Sequence, residues 1–223
     1  MDEIYCGAQK MKLDMREVIV RKGTELFYRE GFARSSIRGI GRSAGISSAT
    51  LYHYFKSKDD LLYEIIKTIG DHLLIILNQT KLEFNDPEER LRQMIFRQVC
   101  LLKEKRKELK IYMEEQYQLS GQLEKIIRQQ HRKVYDTYMH ELKKLIKLKK
   151  LRINHLPTIN FVIFAMMNWV YRWYKKDQPL PIEEIADMII TILFNGFLLT
   201  CKDMRGSADS GGRKGKRRRY FAK

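Results

Sequence analysis

Little in this chain points to catalysis, secretion or a membrane. Its three cysteines, Cys6, Cys100 and Cys201, stand far apart, are odd in number and form no CxxC pair. That excludes a disulfide framework and a cysteine zinc site, and suits a reducing compartment. The longest apolar run, Phe161–Met167, falls far short of the roughly 20 residues a bilayer-spanning helix needs. Charge is spread through Met1 to Lys22, so no secretory leader is read there and a cytoplasmic location is expected. There is no nucleophile elbow, GxGxxG, P-loop, HExxH or EF-hand. His131 and His140 are nine apart, a spacing that puts them on different helical faces. Neither an enzyme, nor a cofactor, nor a metal site is therefore expected.

The chain is rich in hydrophobic residues (44%) and has only four prolines in 223 positions, the profile of a folded and mostly helical protein. Its net charge of +16 is unevenly placed. Residues 1–57 carry +4 and 58–201 carry +5, whereas 202–223 alone carry +7, mostly in Arg213–Arg219. Such a balance favours polyanions, nucleic acid or an anionic membrane, without choosing between them. The Gly-, Ser- and Arg-rich stretch 205–223 has the composition of a disordered basic tail. It is a solvated end, or a source of non-specific DNA affinity through counterion release.

The stretch Ser35–Lys58 carries the most information. Ser35 reads as an N-cap, with Ile37 and Ile40 forming an apolar face behind it. Ala44-Gly45-Ile46 reads as a break, where a small residue lets backbones approach and a glycine accepts positive φ. Ser47 then caps a second short helix containing Leu51, Tyr52, His53, Tyr54 and Phe55. This is the pattern of a helix-turn-helix whose second helix enters the DNA major groove.

From about Val18 to Ile66 the chain resembles the N-terminal DNA-binding domain of the TetR family of transcriptional regulators. The positions that carry the resemblance are Leu26-Phe27, Gly31-Phe32, Ser35, Ile40, Ala44-Gly45-Ile46-Ser47, Thr50-Leu51-Tyr52-His53-Tyr54-Phe55, Ser57-Lys58 and Leu61-Leu62. Gly39 and Gly41 depart from it, each costing about 1 kcal/mol relative to Ala inside a helix. By correspondence with the family, the DNA-binding residues are Ser36, Arg38, Ser47, Ser48, Ala49, Thr50, Tyr52, His53 and Lys58. Tyr52, His53 and Lys58 match positions that touch phosphate, and Arg42 points toward the same groove as Arg38. For His53, the bland alternative is a surface or core histidine with no part in binding.

Downstream, residues 1–11 are expected to be a loose arm and Lys12–Glu30 a closing helix. Ser57 is expected to cap a long strut from Lys58 that joins reader to sensor. Asp86-Pro87 starts a helix running to about Lys105, a shorter one spans about 108–118, and a basic one spans about 122–150. The last is either a solvated face over a core stripe or a membrane-binding surface. Residues 159–175 include the densest apolar and aromatic run, hydrophobic nearly all round. With the helix after Pro179-Leu180-Pro181, it offers more apolar surface than one monomer needs, so a homodimer through the last two helices is expected.

Asn168-Trp169-Val170-Tyr171-Arg172-Trp173-Tyr174, with Leu180 and Glu183–Asp187, resembles the branch of the family whose members repress fatty-acid or sterol-ring catabolism and are released by acyl-CoA thioesters. Pro181-Ile182 departs from it where Ser-Pro is usual. The resemblance implies a ligand site of Met94, Met113, Phe161, Phe164, Met166, Asn168, Trp169, Arg172 and Trp173. Trp169 and Trp173 stand one helical turn apart beside Arg172, a set able to hold an adenine and a phosphate. The alternative is that this stripe is core and dimer seam. The expectation as a whole is an all-α homodimer, divided into a helix-turn-helix domain (1–57), a ligand-binding and dimerisation domain (58–204) and the tail. It binds operator DNA and is released by a hydrophobic effector, an acyl-CoA or, alternatively, a drug-like molecule. A basic membrane-surface protein is the competing reading.

Overall fold

The computed structural model describes residues 2–206 apart from Arg152, Asn154 and Lys176, with side chains from Met15 to Gly196. Among the described residues there are nine α-helices and one 3-10 turn, and no strand. None of these helices is long and apolar enough to cross a membrane. Of the expected basic tail, 207–223 lies outside the described residues.

Helix α1 spans Asp2–Glu30, so the loose arm expected over residues 1–11 is instead helical from Asp2. Its inward stripe, Ile19, Leu26 and Phe27, is buried, and Gly31 ends it at φ 81°. Helix α2, Ile37–Ala44, is capped by Ser36, whose Oγ accepts from the Gly39 N–H at 3.1 Å. The expected cap, Ser35, is buried and donates its hydroxyl to the Phe32 carbonyl at 2.6 Å. The correction has a simple cause. Two adjacent serines fit the cap pattern equally well, and only tertiary packing turns one of them inward.

Gly45 follows α2 at φ 71°, and α3, Ser48–Tyr54, begins after the Ser47 cap. The glycines inside α2 have a packing reason. A Cβ on Gly41 would sit 3.0 Å from the Ile46 carbonyl oxygen, and one on Gly39 would sit 3.3 Å from Ser36 Oγ. A methyl group at either position would force its neighbour to give by a few tenths of an ångström.

Helix α4, Lys58–Glu83, starts at the Ser57 cap and buries Leu61, Leu62, Ile65, Ile66, Ile69, Leu73 and Leu77. Helix α5, Pro87–Cys100, runs almost directly into α6, Leu102–Glu114, and Lys105 inside α6 departs from helical geometry (φ −114°, ψ 28°). The boundary expected near Lys105 is therefore a kink within α6, and the chain turn lies at Leu101. The 3-10 turn Gln116–Gln118 leads to Gly121 at φ 61° and to α7, Gly121–Lys149.

Helix α7 packs on both α4 and α5, and two polar contacts fix it there. The Gln130 amide lies over Gly70 and donates to the Lys67 carbonyl (3.0 Å) and to Asp71 Oδ1 (2.7 Å). Glu141, fully buried, accepts from Arg90 Nη1 at 2.6 Å and from Lys144 at 3.3 Å. Arg90 also donates to the Phe84 and Asn85 carbonyls, which ties the α4–α5 turn to α7.

Helix α8, Leu156–Trp173, is capped by His155, and α9, Ile182–Gly206, returns against α5 and α8. Only part of α8 is covered. Ile163, Met167 and Val170 are buried, whereas Phe161, Val162, Trp169 and Trp173 face outward, as do Met188 and Ile192 on α9. Although α8 is hydrophobic nearly all round, within one chain it is covered along one stripe only.

Candidate nucleic-acid interface and sensor core

Helices α2 and α3 divide cleanly into an inner and an outer face. Ile40, Leu51 and Phe55 are buried, while Ser36, Arg38, Arg42, Ser47, Ala49, Thr50, Tyr52 and His53 are exposed. Thus eight side chains expected near DNA are solvent-facing, with Tyr52 52% exposed. Ser48 is half-buried. The Ser47 hydroxyl is engaged by the cap, accepting from the Thr50 N–H at 3.0 Å with Thr50 Oγ1 2.9 Å away. Arg38, Arg42 and His53 have no acidic partner among the described ion pairs, so the charge of the two arginines and the hydrogen-bonding capacity of all three are open to solvent.

Lys58 is placed differently. It is half-buried, donates to the Phe32 carbonyl at 2.8 Å and the Ser35 carbonyl at 3.1 Å, and lies 4.1 Å from the centre of the Phe32 ring. An ammonium has three N–H donors, and two of them hold the turn between α1 and α2. Family correspondence assigns Lys58 a phosphate role alone; its bonds across 26 and 23 residues could not be read from local spacing.

The head is also held from the sensor side. Glu115 accepts from the Phe32 N–H at 3.1 Å. Arg106 Nη1 donates to the Tyr28 hydroxyl at 2.8 Å, and Lys110 lies 4.8 Å from the centre of the Tyr28 ring. Helix α6 and the residue that follows it therefore hold the end of α1 and the next turn at three points.

The side chains expected to bind ligand fall into two groups. Met94 is fully buried, and Met113, Phe164, Met166 and Asn168 are half-buried, the first three against the core. Met94, Phe164 and Asn168 meet a polar thread that local spacing does not reveal. Tyr138 Oη lies 3.0 Å from both the Met94 carbonyl and Gln98 Oε1, and Gln98 Nε2 donates to Asn168 Oδ1 at 3.2 Å. Phe164 meets the Tyr138 ring edge-on at 5.0 Å. Burial without a charged partner pushes the Tyr138 hydroxyl far above its ordinary pKa. The signal for Tyr138 and Gln98 was there to find: each is a polar residue at a helix position whose neighbours one turn away are apolar.

Earlier on α7, His131 packs against the Tyr112 ring at 4.4 Å with the planes tilted by 51°, and burial lowers its pKa to about 4. Its Nε2, together with Gln130 Oε1 and Asn160 Oδ1, is buried without a hydrogen-bond partner in the protein. The second group, Phe161, Trp169, Arg172 and Trp173, lies on the outer face of α8 (Phe161 62%, Trp169 59% and Trp173 48% exposed). The Arg172 guanidinium lies over the Trp169 ring at 4.9 Å. These four residues are therefore not gathered with Met94. Helical period put Trp169 and Trp173 on one face, and nothing in the sequence said which way that face turns.

Segment 19–65 matches the family model described as bacterial regulatory proteins, tetR family, and segment 85–197 matches that described as tetracyclin repressor-like, C-terminal domain. The HTH-type transcriptional repressor KstR2 of Mycolicibacterium smegmatis is 23% identical over 81% of this chain and 89% of its own length. The uncharacterized HTH-type regulator YhgD of Bacillus subtilis is 22% identical over 83% and 98%. Among solved structures, AibR in complex with isovaleryl coenzyme A and operator DNA superposes with a TM-score of 0.75 at 25% identity, over 81% of this chain and 98% of that one. The KstR2 ketosteroid regulator of Mycobacterium tuberculosis gives 0.76 at 21%, over 81% and 93%.

Proposed function

The chain belongs to the TetR family of bacterial regulatory proteins, and from that premise we propose that it is a dimeric repressor that leaves its operator when a hydrophobic effector enters the sensor. It is a regulator, not an enzyme. The observation that carries the DNA reading is the outward row on α2 and α3, with Arg38, Arg42, Tyr52 and His53 exposed above buried Leu51 and Phe55. Long cationic and hydrogen-bonding side chains on a short helix pair suit phosphates and base edges of a major groove.

The uncovered stripe on α8 and α9 supports pairing through those helices. Phe161, Trp169, Trp173, Met188 and Ile192 are large, apolar and exposed, and a two-fold copy would cover them in a four-helix bundle. In the DNA-bound state the two recognition helices would stand one turn of duplex apart, roughly 34–36 Å. The effector must favour a state in which that spacing is lost, or it shifts nothing. Transmission would run through α6 and Glu115 after it, which hold Tyr28 and the Phe32 N–H of the head.

For the effector, the reading we favour is a long-chain fatty acyl-CoA. Its support is the relative solved with isovaleryl coenzyme A, the Arg172–Trp169 stack, and the apolar, methionine-containing region around Met94, Met113 and Met166, adaptable to chain length. The Trp169-Arg172-Trp173 stripe would take the nucleotide end at the seam, and the core the acyl chain. The test is titration of acyl-CoAs from isovaleryl to palmitoyl into the protein bound to an operator selected from random duplexes. Release that strengthens with chain length is expected. No release at any length would remove the acyl-CoA assignment while leaving the DNA reading standing.

A further inference from the structure

A cleft of about 990 Å³ opens between α1, α4 and α6, and none of its lining residues is one assigned above to the effector. It lies where head meets sensor. Val20 and Tyr28 of α1, Ile65 and Ile69 of α4 and Leu102 of α6 give it apolar walls, and the buried Tyr174 closes one side. The volume is at the upper end of small-molecule sites, roughly 300–1,000 Å³, which are likewise mostly apolar with few polar anchors.

Charge on the rim discriminates between ligands. Arg16 is paired with Glu64 at 2.8 Å, Lys103 with Glu183 at 2.7 Å, and Lys105 lies 3.7 Å from Glu108. Arg106 is different. One of its Nη groups donates to the Tyr28 hydroxyl, while its Nε is buried with no acceptor in the protein. That nitrogen is closed off from the cleft, but the guanidinium lines it and has no carboxylate among the described ion pairs, so a carboxylate or sulfonate oxygen reaching its remaining Nη hydrogens would make a charge-assisted bond. Arg21 and Lys107 add positive charge to the lining, but so do Glu17 and Glu104 negative charge. A polyanion gains little from such a rim; a single negative charge on an apolar body fits it.

We propose that this cleft is a second small-molecule site, taking monoanions with a flat apolar body such as aromatic or alicyclic carboxylates and sulfonates, and that its occupancy alters the grip of the sensor on the head. The coupling follows from position. The ligand would lie between α1 and α6 beside the Arg106–Tyr28 bond, on a stretch of α6 already interrupted at Lys105. Any change in the α1–α6 distance acts on the turn that Glu115 holds through Phe32. The coupling clause, unlike the binding clause, rests on the DNA reading above, and it is reciprocal: operator and ligand alter each other's affinity by the same factor.

The probe is 8-anilinonaphthalene-1-sulfonate, followed by fluorescence on the full-length protein, with uncharged N-phenyl-1-naphthylamine as its control. Saturable binding of the sulfonate is expected, weakened about tenfold by Arg106→Gln and abolished by Val20→Trp, which fills the cleft from the α1 side. The uncharged probe should lose affinity only in Val20→Trp. Equal sulfonate binding by all three proteins, or its displacement by palmitoyl-CoA, would place the probe elsewhere and overturn the site. Binding that leaves operator affinity unchanged would overturn the coupling. A protein that binds the sulfonate as expected but no duplex at all refutes the DNA reading and leaves the cleft standing.

Discussion

Replacing Gly70 with alanine should destabilise the protein although it puts a better helix former into the middle of α4. Propensity alone favours the change by roughly 1 kcal/mol. The new Cβ, however, would lie 2.0 Å from Gln130 Oε1, 2.3 Å from its Cδ and 2.8 Å from its Nε2. Real Cβ atoms do not approach that closely, so the amide must leave. With it go the bonds to the Lys67 carbonyl and the Asp71 carboxylate, together worth roughly 3 kcal/mol. The net cost is then about 2 kcal/mol.

Gln130→Ala alone gives up the same two bonds but removes the unpartnered Oε1 as well, again about 2 kcal/mol net. In the double variant the methyl group introduced at position 70 finds room and the propensity gain returns, leaving a loss of about 1 kcal/mol instead of the additive sum of about 4 kcal/mol. Urea unfolding of the four proteins at one fixed concentration measures this cycle. A double variant that loses as much as the sum of the singles would show that the amide does not lie over Gly70, and the account of α4–α7 packing would fail.

Two further predictions concern buried charge. Arg90→Leu leaves Glu141 fully buried with the exposed Lys144 as its remaining ion-pair partner and the half-buried Lys81 nearby; a loss of about 3 kcal/mol is expected, the usual cost of breaking a buried pair, and a loss below about 1 kcal/mol would mean that the carboxylate reaches water or is met by Lys81. His131 is held neutral because burial lowers its pKa from 6.5 to about 4. Above pH 6.5 it is uncharged in both folded and unfolded chains and contributes no pH dependence. As pH falls from 6.5 toward 4 the unfolded chain takes up the proton first, so stability is lost across that window, by about 2 kcal/mol at pH 5. His131→Phe, which keeps an aromatic ring beside Tyr112, should shrink the stability difference between pH 7.5 and pH 5 by that amount, and parallel unfolding curves for the two proteins would contradict it.

The helix-turn-helix was readable because its constraints are local. A cap, a left-handed glycine and an apolar face of period 3.6 each leave a mark within a few residues. Locality also set the limit of that reading, since two neighbouring serines satisfied the same cap rule. Helix order and most helix ends followed from proline, serine and glycine signals in the same way. The sensor was less readable, because what matters there joins residues 40 to 70 positions apart: Tyr138 to Gln98, Gln98 to Asn168, Glu141 to Arg90. A polar residue inside an apolar stripe marks such a site without naming its partner. The outward direction of Trp169 and Trp173 was hidden for a related reason. A stripe that serves a second copy and one that serves the chain's own core have the same period.

The Lys58 ammonium, held by the carbonyls of Phe32 and Ser35, has a consequence for anyone building hybrid regulators. A cut placed where α4 begins looks natural on the sequence, yet it removes the cation that closes the corner between α1 and α2, and it discards Glu115 with the rest of the sensor. A reading head moved onto a foreign sensor would arrive with the Ser35 carbonyl and the Phe32 amide stripped of their partners, and with the Phe32 carbonyl left to the Ser35 hydroxyl and amide alone. Transplants should work when the recipient presents a lysine at the start of its strut and an acid at the end of its α6, and should otherwise yield heads that fold loosely and read poorly. The border between the two halves is drawn in side chains, not in the backbone.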